Sequence, residues 1–470
     1  MTKGIKMILT VLPILCLGQI TDEQKVRIDS LFQKWDLENY PGGVVGVIQS
    51  DTISYLNAFG NASLEYDVPN TSKTMFNIGS VSKQFTAMGI VVLHQQGLLS
   101  IDERVEKYFP DFPIFQNPIT LKHLLQHTSG LRDFHELLAL AGWRGDDYRT
   151  DQDILKFMKK QSDLNFHPGE RFMYSNTGYV LLAKIIEKVT HEDFGKWMKN
   201  NIFDPLGLHS TYVEENYQRI VPQNATSYYH SHDKIFEMAQ GYWAYTGAGN
   251  VHSTARDLLI WSKNYYSPKN GWEASFQMLQ TLGEFNDGGT SDYAFGIYID
   301  ELFGTKRIQH AGVVGGYRAF LCTYPKKALS VVVLTNFSNA PFGEMADDVV
   351  GILLTEPRQK AQNRLSSNHT KKQGISFRCP LDLTEYSGTF YSTEIDTWYT
   401  FYVEGNTLKC SHVRHGEFIM ECVAQDEFRG SWPLGTVKMS RNPKGEVDGL
   451  YISTGRVKNL WFKKIKSSIN

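Results

Sequence analysis

The stretch Ser80-Val81-Ser82-Lys83 constrains the fold of this chain more than any other, because of what lies on either side of it. The strand-like residues 76–79 precede it, and a helix with apolar residues at helical spacing is predicted from Val81 to Gln96. Residues three apart are neighbours on a helix surface, so the amine of Lys83 can reach the hydroxyl of Ser80. The sequence therefore predicts a strand, a glycine turn and a helix that hold a hydroxyl and an amine side by side.

This pair of side chains suits nucleophilic catalysis. Serine is a weak nucleophile at neutral pH and needs an adjacent base. Lysine serves as that base when burial or positive charge lowers its pKa, and the positive end of the helix dipole acts in this direction. Free N–H groups in the first helical turn can stabilise an oxyanion. Ser80 is the candidate nucleophile and Lys83 its base, whereas a second SxxK spacing at 231–234 is interpreted as a solvated loop.

Two further motifs offer polar groups for the same chemistry. Tyr174-Ser175-Asn176 supplies a phenol that can shuttle protons and an amide that can accept from Lys83 and donate to a substrate carbonyl. The alternative for this segment is a turn before a helix, with a packed tyrosine and a helix cap. In His310-Ala311-Gly312 a substrate backbone can lie along the small residues, and a nearby N–H can donate to the oxyanion. A single histidine at a strand end is more often structural.

Together these residues resemble the serine β-lactamase and penicillin-binding-protein superfamily, close to its class C-like branch of esterases, D-peptidases and lactamases. The resemblance covers about residues 24–355, with the three motifs in family order. It extends to the flanks at 119–131, which includes His127-Thr128-Ser129-Gly130, and at 247–250. Near its start, a hairpin is predicted from Gly42 to Gln49 and from Ile53 to Phe59. Near its end, strands are predicted from Ala294 to Ile299, Tyr317 to Tyr324 and Leu329 to Thr335. These strand patterns, with helices between them, predict an α+β fold with one antiparallel sheet flanked by helices.

The resemblance implies a role for each motif residue. Ser80 is the acylated nucleophile and Lys83 its base. Tyr174 relays protons to the leaving group and to the deacylating water, while Asn176 orients the substrate. The backbone N–H groups of Ser80 and Val313 form the oxyanion hole.

Substrate contacts are expected, by the same resemblance, from Asn176, His310 and Gly312. Antibiotic-hydrolysing members usually carry a lysine at the position of His310, and its charge helps to hold a substrate carboxylate. Histidine is mostly neutral at pH 7, so carboxylate capture should be weaker here. The histidine resembles the esterase and D-aminopeptidase-like members and argues against potent β-lactamase activity.

The sequence pattern changes beyond residue 357. Residues 358–378 are polar and basic without periodicity, which predicts a linker. Short alternating runs then predict a small all-β barrel or sandwich: Thr397 to Val403, Leu408 to Val413, Phe418 to Val423, Thr436 to Ser440, Gly449 to Ile452 and Val457 to Phe462. This segment resembles the lipocalin-like domain appended to some such hydrolases. The predicted domains are a hydrolase domain at 22–357 and a β domain at 379–467.

The first eighteen residues resemble a secretory signal peptide. Lys3 and Lys6 precede an apolar run of eleven residues from Met7 to Leu17, with small residues before a cut at Gln19. Eleven residues are too few to span a bilayer. The expectation is an exported protein, periplasmic or secreted, without a transmembrane helix after cleavage; Cys16 leaves a lipoprotein as the alternative.

The charge and the cysteine content limit which partners and cofactors are expected. The formal net charge of −2 gives no basic footprint, so nucleic acid is not expected as a partner. The cysteines at 322, 379, 410 and 422 form no close metal-ligand pattern, and no metal or other cofactor is predicted. Both a Cys410–Cys422 bridge and unpaired, partly buried thiols are compatible with an exported chain.

These observations predict an exported serine hydrolase that forms an acyl-enzyme on Ser80. The candidate substrates are esters, D-amino-acid amides or peptides and, less well, β-lactams. The alternative is a penicillin-binding or sensor-type protein that is acylated without efficient turnover. An inert binding module would not need Ser80, Lys83, Tyr174 and Asn176 together. A metallohydrolase is disfavoured, because the fourteen histidines include no HExxH motif.

Overall fold

The computed structural model describes residues 20–354 and 382–465, except residues 234 and 240. The predicted signal peptide at 1–18 and the predicted linker at 358–378 lie outside these residues. The described residues form an α+β domain that ends at Leu354 and an all-β barrel whose first strand begins at Gly388. Both parts of the predicted fold class are confirmed.

The α+β domain contains one large sheet and several small ones. Its strands are β1 Gly43–Gln49, β2 Thr52–Phe59, β3 Asn61–Ser63, β4 Val68–Pro69, β5 Phe76–Asn77, β6 Arg149–Thr150, β7 Tyr212–Val213, β8 Tyr228–His230, β9 Phe236–Met238, β10 Trp243–Ala244, β11 Val251–Ser253, β12 Tyr298–Leu302, β13 Thr305–Val314, β14 Tyr317–Tyr324 and β15 Leu329–Thr335.

Helices cover both faces of the large sheet and fill the middle of the chain. They are α1 Asp22–Phe32, α2 Lys83–Gln95, α3 Leu121–Leu125, α4 Phe134–Leu140, α5 Asp151–Lys159, α6 Asn176–Thr190, α7 Phe194–Met198, α8 Asp204–Leu206, α9 Ala255–Lys263, α10 Glu273–Met278 and α11 Phe342–Leu354. A 3₁₀ turn, Gly79–Ser82, leads into α2. Within the described ranges, no helix has the length and apolar character that crossing a bilayer requires.

The large sheet is antiparallel, in the strand order β12-β13-β14-β15-β1-β2. The predicted N-terminal hairpin forms as β1 and β2, within one residue of the expected bounds. β1 also pairs with β15, so that Gly43 lies opposite Thr335. Distant parts of the chain therefore close the sheet, as the strand patterns predicted.

Both faces of β1 are buried, which explains why its sequence is apolar without alternation. Val45 and Val47 belong to the core beneath α1 and α11. Val44 and Ile48 face the opposite core, which contains residues of α2 and α9. The helices on that second face include α2, whose first residue is Lys83.

The barrel closes with eight antiparallel strands, from β16 to β23 in sequence order. These are β16 Gly388–Ser392, β17 Thr397–Glu404, β18 Thr407–His412, β19 Gly416–Ala424, β20 Glu427–Arg429, β21 Thr436–Arg441, β22 Val447–Ser453 and β23 Leu460–Ile465. The alternating runs predicted six of them. Two strands were not predicted: β20 has only three residues, and in β16 Phe390 is the one buried apolar side chain.

The barrel packs against the region around α4, and its apolar core is continuous with that of the α+β domain. The Arg132 Nη1 atom lies 2.7 Å from Glu394 Oε2 in a buried ion pair. The Tyr399 hydroxyl donates to the carbonyl of Leu140 at 2.9 Å. These buried polar contacts fix how the barrel lies on the larger domain.

The apolar run Ala294 to Ile299 was predicted as a strand, and most of this prediction is wrong. Only Tyr298 and Ile299 belong to a strand. Gly296 has φ +77°, and a Cβ there would lie 2.7 Å from the carbonyl oxygen of Lys83. The run is apolar because it is a buried turn packed against the start of α2, which periodicity alone cannot distinguish from a buried strand.

The Cys410–Cys422 bridge that the sequence allowed is not formed. Cys322 and Cys410 are free, buried thiols, whereas Cys422 is disulfide-bonded. Strand register explains why Cys410 does not bond to Cys422. Cys410 on β18 lies opposite Phe418 on β19, well before Cys422. The alternative of unpaired thiols holds for Cys322 and Cys410 and fails for Cys422.

Candidate active site

Ser80 lies on the 3₁₀ turn that connects β5 to α2. Close approach of β13 to this turn requires two glycines. A Cβ on Gly79, whose φ is +51°, would lie 2.7 Å from the Val313 nitrogen, and one on Gly312 would lie 1.9 Å from the carbonyl oxygen of Ile78. The N–H edge of β13 at Val313 is thereby brought beside the candidate nucleophile.

Lys83 is completely buried and sits at the centre of the site. Its Nζ lies 3.1 Å from Ser80 Oγ, 2.8 Å from Asn176 Oδ1 and 2.7 Å from the carbonyl oxygen of Ala248. The i, i+3 spacing works as predicted, because three residues make one turn of 3₁₀ helix. The flanking segment 247–250 has a defined role here, since it supplies one of the acceptors.

The electrostatic environment of Lys83 favours the neutral amine. Burial lowers its pKa well below the usual lysine value; the negative charge of Asp133 opposes this shift and the positive charge of Arg456 adds to it. A neutral amine has two N–H bonds, which the Asn176 and Ala248 oxygens can accept. Its lone pair is then available to the Ser80 hydroxyl.

Asn176 is oriented by a carboxylate that the sequence analysis did not identify. Asp133 Oδ2 accepts from the backbone N–H of Asn176 at 2.7 Å and from its Nδ2 at 2.8 Å. Asp133 also caps α4 by accepting from the backbone N–H of His135 at 3.0 Å. These bonds turn Asn176 Oδ1 towards Lys83. Burial alone would raise the pKa of Asp133, but the positive charge of Arg456 and the bonds from Asn176 keep it below the usual value.

The second unpredicted group comes from the barrel. Arg456 lies between β22 and β23, and its Nη1 is 3.3 Å from Asp133 Oδ2. Its Nε is 3.2 Å from Glu136 Oε1, and its guanidinium carbon is 5.9 Å from the ring centroid of Tyr174. No spacing could reveal this residue, because it lies more than three hundred positions from Asp133 in a segment otherwise patterned as strands.

Tyr174 lies above the lysine, with Lys83 Nζ 4.8 Å from its ring centroid. Its buried hydroxyl makes no hydrogen bond to any residue of the described ranges. Burial raises its pKa well above the usual tyrosine value. Tyr174 is therefore a neutral phenol at neutral pH rather than a phenolate stabilised by Lys83.

His127 explains why the flanking segment 119–131 accompanies the tyrosine motif. Its φ is +56°, and its Nδ1 accepts from the backbone N–H of Ser175 at 3.2 Å. Its carbonyl oxygen accepts from the N–H of Met173 at 2.9 Å. The ring lies 4.2 Å from that of Tyr174, so this histidine holds the whole motif in place.

His310 is buried behind the site. Its Nδ1–H donates to the carbonyl of Ala311 at 2.7 Å, and the hydroxyl of Tyr293 donates to its Nε2 at 3.1 Å. Burial lowers its pKa to about 3. The ring is neutral at pH 7, as expected, but both nitrogens are already bonded within the protein.

Most of the predicted site residues come together at one place, whereas His310 lies buried behind it. Ser80, Lys83, Tyr174 and Asn176 are in mutual reach, and Gly312 and Val313 border the serine. Nothing in the described residues groups three or more His, Cys, Asp or Glu side chains in a way that would hold a metal ion.

The sequence agrees with this geometry. Residues 29–354 match a protein-family model described as Beta-lactamase. The chain belongs to the beta-lactamase family. It is accordingly a serine hydrolase of the β-lactamase, DD-peptidase and esterase type.

Several family members are similar to this chain. Penicillin-binding protein 4* of Bacillus subtilis (strain 168) is 30% identical over 329 residues, which cover 67% of this chain and 72% of that protein. A D-aminopeptidase of Gluconobacter oxydans (strain 621H) is 25% identical over 300 residues, or 64% of this chain and 56% of that protein. The chain therefore spans little more than half of the D-aminopeptidase.

One solved structure shares the fold along nearly the whole chain. The octameric penicillin-binding protein homologue from Pyrococcus abyssi has a TM-score of 0.63 at 23% identity, and covers 94% of this chain and 100% of its own. The likeness thus includes the barrel as well as the beta-lactamase domain.

Proposed function

We propose that this protein is an exported serine hydrolase that forms an acyl-enzyme on Ser80. The observation that carries the proposal is the fully buried Lys83 amine, 3.1 Å from the Ser80 hydroxyl and held by Asn176 and the Ala248 carbonyl. Burial favours the neutral amine, which is the form that can accept the serine proton.

The acid and the base are assigned by the opposite pKa shifts of the two groups. The pKa of Lys83 is lowered and that of Tyr174 is raised, which favours the free base at Lys83 and the protonated, donating phenol at Tyr174. Lys83 takes the proton from Ser80, and the Tyr174 hydroxyl, which has no partner among the described residues, donates to the leaving group.

Acylation then proceeds in balanced steps. As the Ser80 proton moves to Lys83 Nζ, Oγ bonds to the substrate carbonyl carbon and the π electrons move to oxygen. The N–H groups of Ser80 and Val313 stabilise this oxyanion. Collapse breaks the bond to the leaving group, which departs with the Tyr174 proton, and Lys83 reprotonates Tyr174. In deacylation a water molecule takes the place of the leaving group, and the same steps run in reverse order. The acid is released and the Ser80 hydroxyl is restored.

The substrate class we propose is D-amino-acid amides or short peptides and simple esters, with β-lactams as poorer substrates. β12 pairs with β13 only as far as Gln309, so residues 310–314 are not paired with β12, and this supports binding of an extended substrate along them beside Ser80. The neutral, internally bonded His310 offers no charge for a substrate carboxylate. The similarity to a D-aminopeptidase supports the same class.

Export is part of this proposal. The signal-like residues 1–18 support it, and so does the disulfide bond at Cys422, because such bonds persist in oxidising compartments. Mass analysis of the protein recovered from its native cells should give an N-terminus at Gln19. An acylated N-terminus at Cys16 would instead indicate the lipoprotein form, and an intact Met1 would contradict export by cleavage.

Turnover of a small substrate panel tests the proposal. p-Nitrophenyl acetate, D-alanine p-nitroanilide and a penicillin would be compared for the wild type and Ser80→Ala. We expect Ser80-dependent hydrolysis of the first two, and slower reaction with the penicillin. Hydrolysis that persists in Ser80→Ala would contradict the proposal, and a stoichiometric burst without turnover would favour the sensor-type alternative.

A further inference from the structure

The loop between β22 and β23 of the barrel is bonded to the catalytic region through its backbone. The carbonyl oxygen of Arg456 accepts from the N–H of Asp133 at 3.2 Å and from Asn165 Nδ2 at 2.9 Å. Its N–H donates to Glu136 Oε2 at 2.5 Å. The N–H of Lys458 donates to Asn165 Oδ1 at 2.7 Å. The hydrolase domain therefore fixes the position of Arg456 on both sides of its own peptide.

The side chain of Arg456 meets a carboxylate that is completely buried. Asp133 has no exposed surface, and a buried carboxylate needs a compensating charge or strong hydrogen bonds. Asn176 supplies two N–H donors, but the amide is uncharged. Arg456 brings the positive charge, with Nη1 3.3 Å from Asp133 Oδ2.

The same carboxylate is connected to the candidate base. Asp133 Oδ2 accepts from Asn176 Nδ2, and Asn176 Oδ1 accepts from Lys83 Nζ, which reaches Ser80 Oγ. An unbalanced negative charge at Asp133 would favour the ammonium form of Lys83 across this short path. An ammonium has no lone pair with which to accept the serine proton.

We propose that Arg456 is a positioning residue supplied by the barrel, which balances the charge of Asp133 and thereby keeps Lys83 neutral as the base for Ser80. This inference rests on the proposed function for its catalytic consequence, although its electrostatic part concerns Lys83 alone. The barrel is then a part of the catalytic centre rather than an appended domain.

The other groups around Lys83 do not take over this task. Several ionisable side chains lie on the elements packed against Lys83. Two are tyrosines: Tyr174 in its motif and Tyr179 on α6. The others are His127 after α3, Asp133 and His135 at the start of α4, and His310 on β13. Burial keeps the histidines neutral, with the pKa of His135 and His310 each lowered to about 3. Of the groups that bear charge at neutral pH, Asp133 favours the ammonium and Arg456 opposes it.

The direct test is titration of Lys83 by NMR in protein labelled with ¹³C at lysine Cε, with the signal assigned by its loss in Lys83→Met. Removing the cation in Arg456→Met should raise the pKa of Lys83 by about one unit or more, since a nearby charge typically moves a pKa by about 1–3 units. Arg456→Lys should restore most of the wild-type value. An unchanged Lys83 titration in Arg456→Met would overturn the inference.

Two further variants separate charge balance from loss of structure. Lys458→Met removes a cation from the same loop, where Lys458 Nζ donates to the carbonyl of Thr454; it should leave the Lys83 titration unchanged. Asp133→Asn combined with Arg456→Met removes both charges and should move the pKa of Lys83 back towards the wild-type value. No such reversal would contradict the balancing role.

The catalytic consequence is measured as the pH dependence of acylation by an activated ester. In Arg456→Met the acid limb should move to higher pH together with the pKa of Lys83. Acylation on that limb should fall about tenfold for each pH unit by which the limb moves, and should recover at alkaline pH. A raised KM with an unmoved limb would mean that Arg456 binds substrate and would overturn the inference. The two proposals can also fail separately. If Arg456→Met changes the titration of Lys83 but neither the wild type nor any variant is acylated, the proposed function is wrong, while the effect of Arg456 on Lys83 is supported.

Discussion

In the barrel, most side chains that point inward are apolar, whereas the candidate active site buries the ionisable side chains Lys83 and Asp133. Phe401, Leu450 and Ile452 fill the barrel with almost no exposed surface. Lys83 and Asp133 are equally buried in the cleft. Burial is the same physical condition in both places, but its consequence differs because of what is buried.

In the barrel, burial stabilises the fold, because each apolar side chain removed from water contributes about 1.5–3 kcal/mol. In the cleft, burial disfavours charge and so shifts the pKa of Lys83 down and that of Tyr174 up. Burial thus favours reactive protonation states in the cleft, whereas in the barrel it stabilises the fold. Substitutions in the two regions should therefore affect different measurements.

The largest effect is expected for Ser80→Ala, which removes the nucleophile. Covalent labelling by an activated ester should be lost completely, while the melting temperature stays close to that of the wild type. Ser231→Ala is the matched control, because Ser231 belongs to the second SxxK spacing and should label normally. Labelling retained in Ser80→Ala would break the account of the cleft.

Lys83→Met should slow acylation by about 10²–10⁴-fold, the usual contribution of a general base. The methionine fills a similar volume but cannot accept the Ser80 proton. Lys188→Met, on the last turn of α6, removes a lysine outside the cleft and should acylate at the wild-type rate. Equal rates for the two variants, measured by stopped-flow release of the ester leaving group, would remove Lys83 from its assigned role.

The pH profile of wild-type acylation should distinguish a buried lysine from an exposed one. Because burial lowers the pKa of Lys83 well below the usual lysine value, the unprotonated amine should be reached at a lower pH than in an exposed lysine. The rate should be flat through neutral and mildly alkaline pH and should fall about tenfold per pH unit on the acid side of the lowered pKa. A rate that rises steadily to about pH 10, the usual lysine pKa, would show that burial does not act as described.

In the barrel, Phe428→Ala should lower the free energy of unfolding by about 3–5 kcal/mol, because the cavity left by a fully buried ring is only partly refilled. The control is Ile419→Ala on β19, whose side chain is 69% exposed, and which should change stability by about 0.5 kcal/mol or less. Denaturant titration checks both. Similar losses in the two variants would mean that the barrel interior is not the source of its stability.

The smallest effect concerns the contact between the two regions. Tyr399→Phe removes a buried hydroxyl that donates to the Leu140 carbonyl at 2.9 Å. The expected loss is about 1 kcal/mol in denaturant titration. Tyr402→Phe, which removes a hydroxyl bonded to Glu417 at the barrel surface, should cost less. The reverse order would contradict the assigned contact.

Much of this contrast could be predicted from the sequence. Alternation along β17, β18, β21 and β22 identified most of the barrel, because inward and outward residues differ in polarity there. The Ser80–Lys83 spacing predicted that the hydroxyl and the amine lie side by side, because local geometry fixes their distance. Local patterns of this kind survive folding almost unchanged.

The unpredicted parts depend on contacts between distant segments. In the sequence Asp133 has the pattern of an ordinary helix cap, and only the fold shows that it also orients Asn176. Arg456 has the pattern of a loop cation until the barrel is placed on α4. The run at Ala294 was predicted as a strand because burial makes a turn as apolar as a strand. His310 was predicted near a strand end, but its bonds to neighbouring groups could not be seen.

The measurement that tests the central claim most directly is intact-mass analysis of the mature protein after exposure to an activated ester and, separately, to a penicillin, with peptide mapping of any adduct. The account predicts one acyl group per chain, located on Ser80 and absent from Ser80→Ala, with faster formation and release for the ester. An adduct on another residue, or turnover of either reagent without dependence on Ser80, would contradict it.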